Sequence, residues 1–161
     1  MRILVVGSGG VGDAFARIAV QRDFFELLVM SDYDEARASA TVAAATARRP
    51  GEGRLFAAKV DASSRESVAA LARQHSITHV LNAVDPRFVM PIFAGALAAG
   101  ADYLDIAMSL STPHPARPPD APGVQPPDHQ FVPPRRGQER RQAARVRAGV
   151  GSWPAAARPP R

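Results

Sequence analysis

The sequence predicts an α/β fold built on a doubly wound parallel sheet of about five strands. Short apolar runs alternate with helical patterns five times within residues 1–111. A glycine-rich loop directly follows the first of these runs. The connections are short enough for right-handed crossovers, which join parallel strands through helices on both faces of a sheet. We therefore expect Rossmann topology in this part of the chain.

The predicted elements follow one another in a regular order. Each strand is a short apolar run, and each helix carries apolar or alanine positions at helical spacing. The helices over 34–48 and 88–99 also end at Gly or Pro signals. We predict strands over residues 3–6, 27–30, 55–60, 79–84 and 103–106. Helices are predicted over 13–21, 34–48 and 88–99, and another opens at Ser64.

The glycine loop predicts a pyrophosphate site. Its residues are Gly7, Ser8, Gly9, Gly10, Val11 and Gly12, and glycines 7, 9 and 12 have the G-x-G-x-x-G spacing. The first glycine allows a sharp turn out of the strand, the second allows backbone to approach phosphate, and the third allows tight helix packing. The following helix directs unpaired N–H groups and its positive end at the phosphates.

An acidic residue closes the second predicted strand. Asp32 lies twenty positions after Gly12, where this motif places the carboxylate that binds a ribose. A carboxylate favours NAD, because it repels the 2′-phosphate of NADP. Arg37 lies near enough in sequence to pair with such a phosphate, although it is equally interpreted as a solvated arginine. The cofactor is therefore predicted to be NAD or NADP, with a preference for NAD.

Composition divides the chain at residue 111. The formal charge of +5 resides in the last fifty residues, which carry nine arginines against three acids. Those residues also hold twelve of the fifteen prolines and no leucine or isoleucine. We predict a cofactor-binding domain over residues 1–111 and a disordered, low-complexity Pro/Arg-rich tail over 112–161.

Three interpretations of the tail stay open. It is an arginine-rich arm for nucleic acid, a solvated tail, or out-of-frame translation of a G+C-rich gene that has replaced a catalytic domain. We favour the last, because large apolar residues disappear so abruptly, and we do not expect a nucleic-acid partner. A truncated and inactive chain is the corresponding expectation.

The sequence also argues against disulfides, a signal peptide and a metal site. The chain has no cysteine, which excludes disulfides and thiolate zinc sites. The opening apolar run is too short for a signal peptide, so we expect a cytoplasmic protein without membrane contact. His75 and His79 straddle a helix end and a strand start, and we expect no metal site.

Residues 1–111 resemble the N-terminal NAD(P)-binding domain of the saccharopine dehydrogenase (saccharopine reductase) family. The resemblance rests on the glycine loop, the turn at Asp32 and Tyr33, and three further segments: Val60-Asp61-Ala62, the stretch from His79 to Pro86, and the stretch from Ala101 to Asp105.

The resemblance implies an oxidoreductase that transfers hydride at the CH–NH group of an amino-acid-derived secondary amine, as in lysine metabolism. By position, Asp32 and Tyr33 would bind the adenosine ribose and Asp61 and Ala62 the adenine. The nicotinamide side would contact Asn82, Ala83, Val84 and, in the loop after the fifth strand, Ser109. Full-length members of the family are expected to be homodimers, and no catalytic acid or base is assigned.

A second interpretation is a non-catalytic module. The NAD(H)-sensing domains of potassium transport regulators also combine a glycine loop, an acid after the second strand and an Asp-Ala turn after the third. The segments from Asn82 to Pro86 and from Ala101 to Asp105 favour the dehydrogenase family.

Overall fold

The computed structural model describes residues 1–106. The predicted tail over 112–161 and Ser109 lie outside the described residues. Within the described part, strands and helices alternate along the chain. The strands are β1 (Arg2–Val6), β2 (Leu27–Asp32), β3 (Leu55–Lys59), β4 (His79–Asn82) and β5 (Asp102–Asp105).

All five strands pair in parallel in one sheet with the order β3-β2-β1-β4-β5. The order reverses direction between β1 and β4, because β2 and β3 lie on one side of β1 while β4 and β5 lie on the other. The α/β class, the parallel sheet and its five strands are confirmed. Crevices at such a reversal, outside the carboxyl ends of the strands, are where doubly wound sheets bind ligands.

Four α-helices connect the strands. They are α1 (Gly10–Ala19), α2 (Glu35–Thr46), α3 (Arg65–Gln74) and α4 (Val89–Ala99), and a short 3-10 helix, Pro86–Phe88, precedes α4. The side chain of Asp34 caps α2 by accepting a hydrogen bond from the Ala36 N–H, and Ser64 caps α3 by accepting one from the Ser67 N–H. Gly100 ends α4 in the left-handed conformation, at φ +73.

Element boundaries differ from the predictions at several ends. Helix α1 begins inside the glycine loop at Gly10, three residues before the predicted start. Strand β4 ends at Asn82, because the Asn82 side chain accepts the Val84 N–H at 3.1 Å and turns the chain out of the sheet. Asp102 and Asp105 are the first and last residues of β5, so this strand begins and ends one residue earlier than predicted.

Two apolar clusters cover the two faces of the sheet. One face of the sheet packs against α3 and α4 through residues such as Val68 and Ile92. The other packs against α1 and α2. On this second face Leu104 neighbours the buried Leu81, yet no described helix covers it and it remains 44% exposed.

Helices α3 and α4 approach each other closely at Gly95. A Cβ atom built there would lie 2.7 Å from the Val68 Cβ and 2.9 Å from the Arg65 carbonyl oxygen. Only glycine therefore allows the observed separation of the two helices.

None of the helices within residues 1–106 combines the length and apolar composition that a membrane span requires.

Candidate functional site

A cavity of about 570 Å³ lies at the carboxyl ends of the strands, beside the reversal between β1 and β4. The loops that follow β1, β2, β3 and β4 all contribute to its wall. Nine of the predicted cofactor-binding residues line it: Gly7, Gly9, Asp32, Tyr33, Arg37, Asp61, Ala62, Ala83 and Val84. The sheet thus brings together residues that are up to 77 positions apart in the sequence.

Two glycines of the loop are required by packing. Gly7 has a φ of +104, and a Cβ atom on it would lie 2.8 Å from the Ala83 carbonyl oxygen and overlap the Val84 side chain. A Cβ on Gly12 would overlap the carbonyl oxygen of Gly7. These two positions therefore allow the turn out of β1 and the close packing of α1 on that turn, as the motif requires.

The other two glycines leave the outer side of the loop open. A Cβ on Gly9 would meet only the Arg37 Nη2, at 3.8 Å, and one on Gly10 would meet nothing within 4 Å. Helix α1 starts at Gly10, so the N–H groups of its first turn have no partners within the helix. Open backbone at a helix N-terminus is what a pyrophosphate needs, and the loop fits a dinucleotide on this observation.

The carboxylate of Asp32 joins the end of β2 to the glycine loop. Its Oδ2 accepts the Ser8 N–H at 2.9 Å, and its Oδ1 accepts the Asp34 N–H at 3.1 Å. Arg37 Nη1 lies 3.8 Å from Oδ1. Since each carboxylate oxygen has two lone pairs, Asp32 retains acceptor capacity toward a ribose hydroxyl.

Two exposed side chains flank Asp32. Tyr33 is 74% exposed, and the ammonium of Lys59 lies 5.5 Å from the centre of its ring. The Arg37 side chain is 58% exposed and reaches from α2 toward Gly9. Arg37 therefore lies at the cavity, rather than on the solvated side of α2.

The loop after β3 is held by its own polar groups. Asp61 Oδ1 accepts the Ser63 hydroxyl at 2.6 Å and the Ser63 N–H at 2.9 Å. These two hydrogen bonds, that of the hydroxyl first, lower the pKa of Asp61 below its usual value. Asp61 is therefore an ionised residue at neutral pH that shapes the loop as well as facing the cavity.

Asn82 lies behind the cavity wall and is fully buried. Its Oδ1 accepts the Val84 N–H at 3.1 Å, and its Nδ2 donates to the Tyr103 hydroxyl at 3.0 Å. The Tyr103 hydroxyl donates in turn to Asp105 Oδ2 at 3.0 Å. Burial raises the pKa of Tyr103, so this phenol remains protonated and a donor at neutral pH.

Four residues of the predicted loop do not line the cavity: Ser8, Gly10, Val11 and Gly12. Ser8 is buried and contributes its backbone N–H to Asp32. Conversely, the cavity wall includes five residues absent from the predicted set: Val6, Val60, Ser63, Asp85 and Phe88. The rule that points to residues directly after each strand would have found Ser63 and Asp85.

The sequence matches a family model. The model describes the saccharopine dehydrogenase NADP binding domain, and the match covers residues 3–150.

Solved structures share the fold at low identity. Apo saccharopine dehydrogenase (L-Glu forming) from Saccharomyces cerevisiae superposes with a TM-score of 0.53 at 13% identity, over 65% of this chain and 21% of that chain. UDP-glucose-4-epimerase from Stenotrophomonas maltophila, with bound NAD, superposes with a TM-score of 0.53 at 19% identity, over 65% of this chain and 36% of that chain. A short chain dehydrogenase from Mycobacterium smegmatis superposes with a TM-score of 0.51 at 20% identity, over 65% of this chain and 57% of that chain.

These similarities concern the fold, and this chain spans less than two thirds of each of those proteins. The family match is evidence of family membership as well as of fold, because it spans most of the sequence. It also agrees with the glycine loop and the cavity at the strand ends. The chain belongs to the family of the saccharopine dehydrogenase NADP binding domain.

Proposed function

We propose that this chain supplies the cofactor-binding half of an oxidoreductase that acts on the CH–NH group of an amino-acid-derived secondary amine. The observation that carries the proposal is the cavity at the strand ends, where an open glycine loop is tied to Asp32. The family match supports the same reaction class.

Each part of the cavity has a role in this proposal. The backbone of the glycine loop binds the pyrophosphate, and Asp32 with Tyr33 binds the adenosine ribose. Asp61 and Ala62 lie at the adenine end, and Ala83 and Val84 lie at the nicotinamide end. When bound, the nicotinamide supplies hydride exchange with the carbon beside the amine nitrogen, and the protein's part is to position that ring.

NAD is the preferred cofactor in this proposal. Asp32 is only 11% exposed at its side chain, and its negative charge lies where a 2′-phosphate would have to approach. Arg37 opposes this preference, since its guanidinium faces the same end of the cavity. Acceptance of NADP is therefore attributed to Arg37 alone.

Catalytic groups for the amine come from outside residues 1–106 in this proposal. Of the cavity's carboxylates, Asp61 and Asp85 accept hydrogen bonds from nearby serine or arginine donors that lower their pKa values. Low pKa values make both poor proton donors at neutral pH. We therefore expect residues 1–106 to bind cofactor without supplying a proton donor for the amine.

Equilibrium titration tests the proposal. Purified chain is titrated with NADH and with NADPH, and binding is followed by nicotinamide fluorescence and by calorimetry. Saturable binding with an increase in Tm is expected, because a ligand that binds only the folded state stabilises it. A folded chain that binds neither dinucleotide would contradict the proposal.

The sensing-module interpretation makes a different prediction. A sensor distinguishes the oxidised from the reduced cofactor and works without an amine substrate. An assay can discriminate between the two functions. It combines this chain with a separately expressed catalytic domain of the family, NAD and saccharopine. Formation of NADH in that mixture supports the dehydrogenase function.

A further inference from the structure

The hydrogen-bonded chain that links Val84, Asn82, Tyr103 and Asp105 lies directly behind the nicotinamide end of the cavity. We propose that Tyr103 and Asp105 are positioning residues, which fix the loop after β4 so that it receives the nicotinamide ring. This inference rests on the proposed function, since it concerns the same cavity.

The first step of the argument is the position of the loop. A side chain at position 7 would collide with Ala83 and Val84. The loop after β4 and the glycine loop therefore form adjoining walls of the cavity. Asp32 and Asp61 lie after β2 and β3, on the other side of β1. A dinucleotide whose pyrophosphate lies on the glycine loop and whose adenosine extends toward Asp32 must extend its other half toward Ala83 and Val84.

The second step concerns how that loop is held. Asn82 is fully buried, and both ends of its amide are engaged, the oxygen by the Val84 N–H and the nitrogen by the Tyr103 hydroxyl. The amide therefore has one orientation, because a flipped amide would place two donors or two acceptors face to face. The turn at Val84 depends on that orientation.

The third step is the anchor of the chain on β5. Tyr103 donates to Asp105 Oδ2 at 3.0 Å, so its oxygen is free to accept from Asn82. All three hydrogen bonds point in the same direction, from the Val84 N–H to the Asp105 carboxylate. Aligned bonds in a buried network polarise one another, and a bond to a charged acceptor is stronger than one to a neutral acceptor.

The fourth step separates this network from ordinary packing. The ring of Tyr103 packs edge-on against Phe93, with centroids 5.4 Å apart, and this contact does not involve the hydroxyl. A phenylalanine at position 103 would preserve the ring contact and leave the Asn82 amide without an acceptor. The hydroxyl is therefore the group that connects β5 to the loop.

The test compares a whole dinucleotide with the same molecule lacking nicotinamide. Affinities for NADH and ADP-ribose are measured for the wild type and Tyr103→Phe, or for NADPH and 2′-phospho-ADP-ribose if the wild type binds NADPH more tightly. We expect Tyr103→Phe to weaken NADH binding by about fivefold, as loss of one buried hydrogen bond predicts, and ADP-ribose binding by less than about twofold.

Three further variants give the controls. Asp105→Ala is expected to reproduce the selective loss, whereas Asp105→Asn keeps an acceptor oxygen and should restore most of the NADH affinity. Phe93→Leu alters the ring contact and is expected to lower Tm without changing the ratio of the two affinities.

The outcomes separate this inference from the proposed function. A wild type that binds both ligands, together with an unchanged affinity ratio in Tyr103→Phe, overturns the positioning role alone. The same selective loss in Phe93→Leu also overturns it, because packing would then explain the effect. A folded wild type that binds neither ligand overturns both.

Discussion

Asp32 and Ser8 are joined by a hydrogen bond in which the Ser8 N–H donates to the Asp32 carboxylate at 2.9 Å. The acid at the end of β2 thus fixes the start of the glycine loop as well as lining the cavity. One side chain therefore contributes to the shape of the glycine loop and, in the proposed function, to the choice of cofactor.

Replacing Asp32 by asparagine should change that choice. Asp32→Asn retains an oxygen that accepts the Ser8 N–H but removes the charge that repels a 2′-phosphate. We expect NADH to bind about tenfold more weakly, corresponding to ~1.4 kcal/mol for a charge-assisted hydrogen bond, while NADPH binding is unchanged or stronger. Titration with both reduced cofactors measures this, and an equal loss for the two would contradict the assignment of Asp32.

Removing Arg37 should act in the opposite direction. Arg37→Ala is expected to weaken NADPH binding by about fivefold to tenfold and to leave NADH binding within about twofold, since only NADPH carries a 2′-phosphate with which the guanidinium can pair. Arg48→Ala is the matched control, because Arg48 is an exposed arginine near the other end of α2. A parallel loss in the control would indicate a general effect of positive charge.

Two alanine substitutions in the glycine loop compare a tightly packed glycine, Gly12, with a glycine that faces open space, Gly10. Gly12→Ala places a methyl group on the Gly7 carbonyl oxygen, so we expect a loss of about 2–3 kcal/mol in the free energy of unfolding together with loss of dinucleotide binding. Gly10→Ala should keep stability within about 1 kcal/mol, because no atom lies within 4 Å of the added methyl group. Urea unfolding and NADH titration measure both effects, and equal damage by the two substitutions would refute the packing argument.

Acid stability should depend on Glu52, which lies in the loop before β3 and away from the cavity. The Arg54 guanidinium donates to this carboxylate, and mainly for that reason the pKa of Glu52 is lowered from 4.5 to about 2. Because the pKa of Glu52 is lower in the folded state, its ionisation stabilises the fold at pH values above the unfolded-state pKa. This stabilisation is lost as the pH falls from 4.5 toward 2.

Thermal unfolding across that pH range checks the prediction. Glu52→Gln should flatten the fall in Tm at acidic pH, whereas Glu26→Gln, at a carboxylate whose side chain is 73% exposed, should change it little. An unchanged pH profile in Glu52→Gln would show that other groups control acid unfolding.

Local patterns were sufficient to predict most of the fold. The alternation of apolar runs and helical stretches predicted five parallel strands, because both signals depend on residues close in sequence. Boundaries were less accurate where a long-range contact decides them. The early end of β4 depends on the Asn82 side chain, which is oriented by Tyr103 on another strand.

The same rules predicted many of the residues that line the cavity, but they missed contacts that depend on loop course or side-chain direction. Asp32, Asp61 and Val84, which lie at or just beyond strand ends, line one cavity, because parallel strands bring their carboxyl ends to one edge. Phe88 was missed because it enters the cavity wall through the 3-10 helix after β4, whose course depends on the turn at Pro86. The link from Tyr103 to Asp105 was likewise beyond sequence reasoning, since it requires side-chain directions.

The glycine at position 95 has a consequence for the cavity, although it lies outside it. Helix α3 begins just after the wall residues Asp61 and Ser63, and α4 begins just after Asp85 and Phe88. Because Gly95 sets how near these two helices come, it also sets the gap between the two loops that precede them. The width of the cavity on that side thus depends in part on the absence of a single methyl group in the interior of a helix.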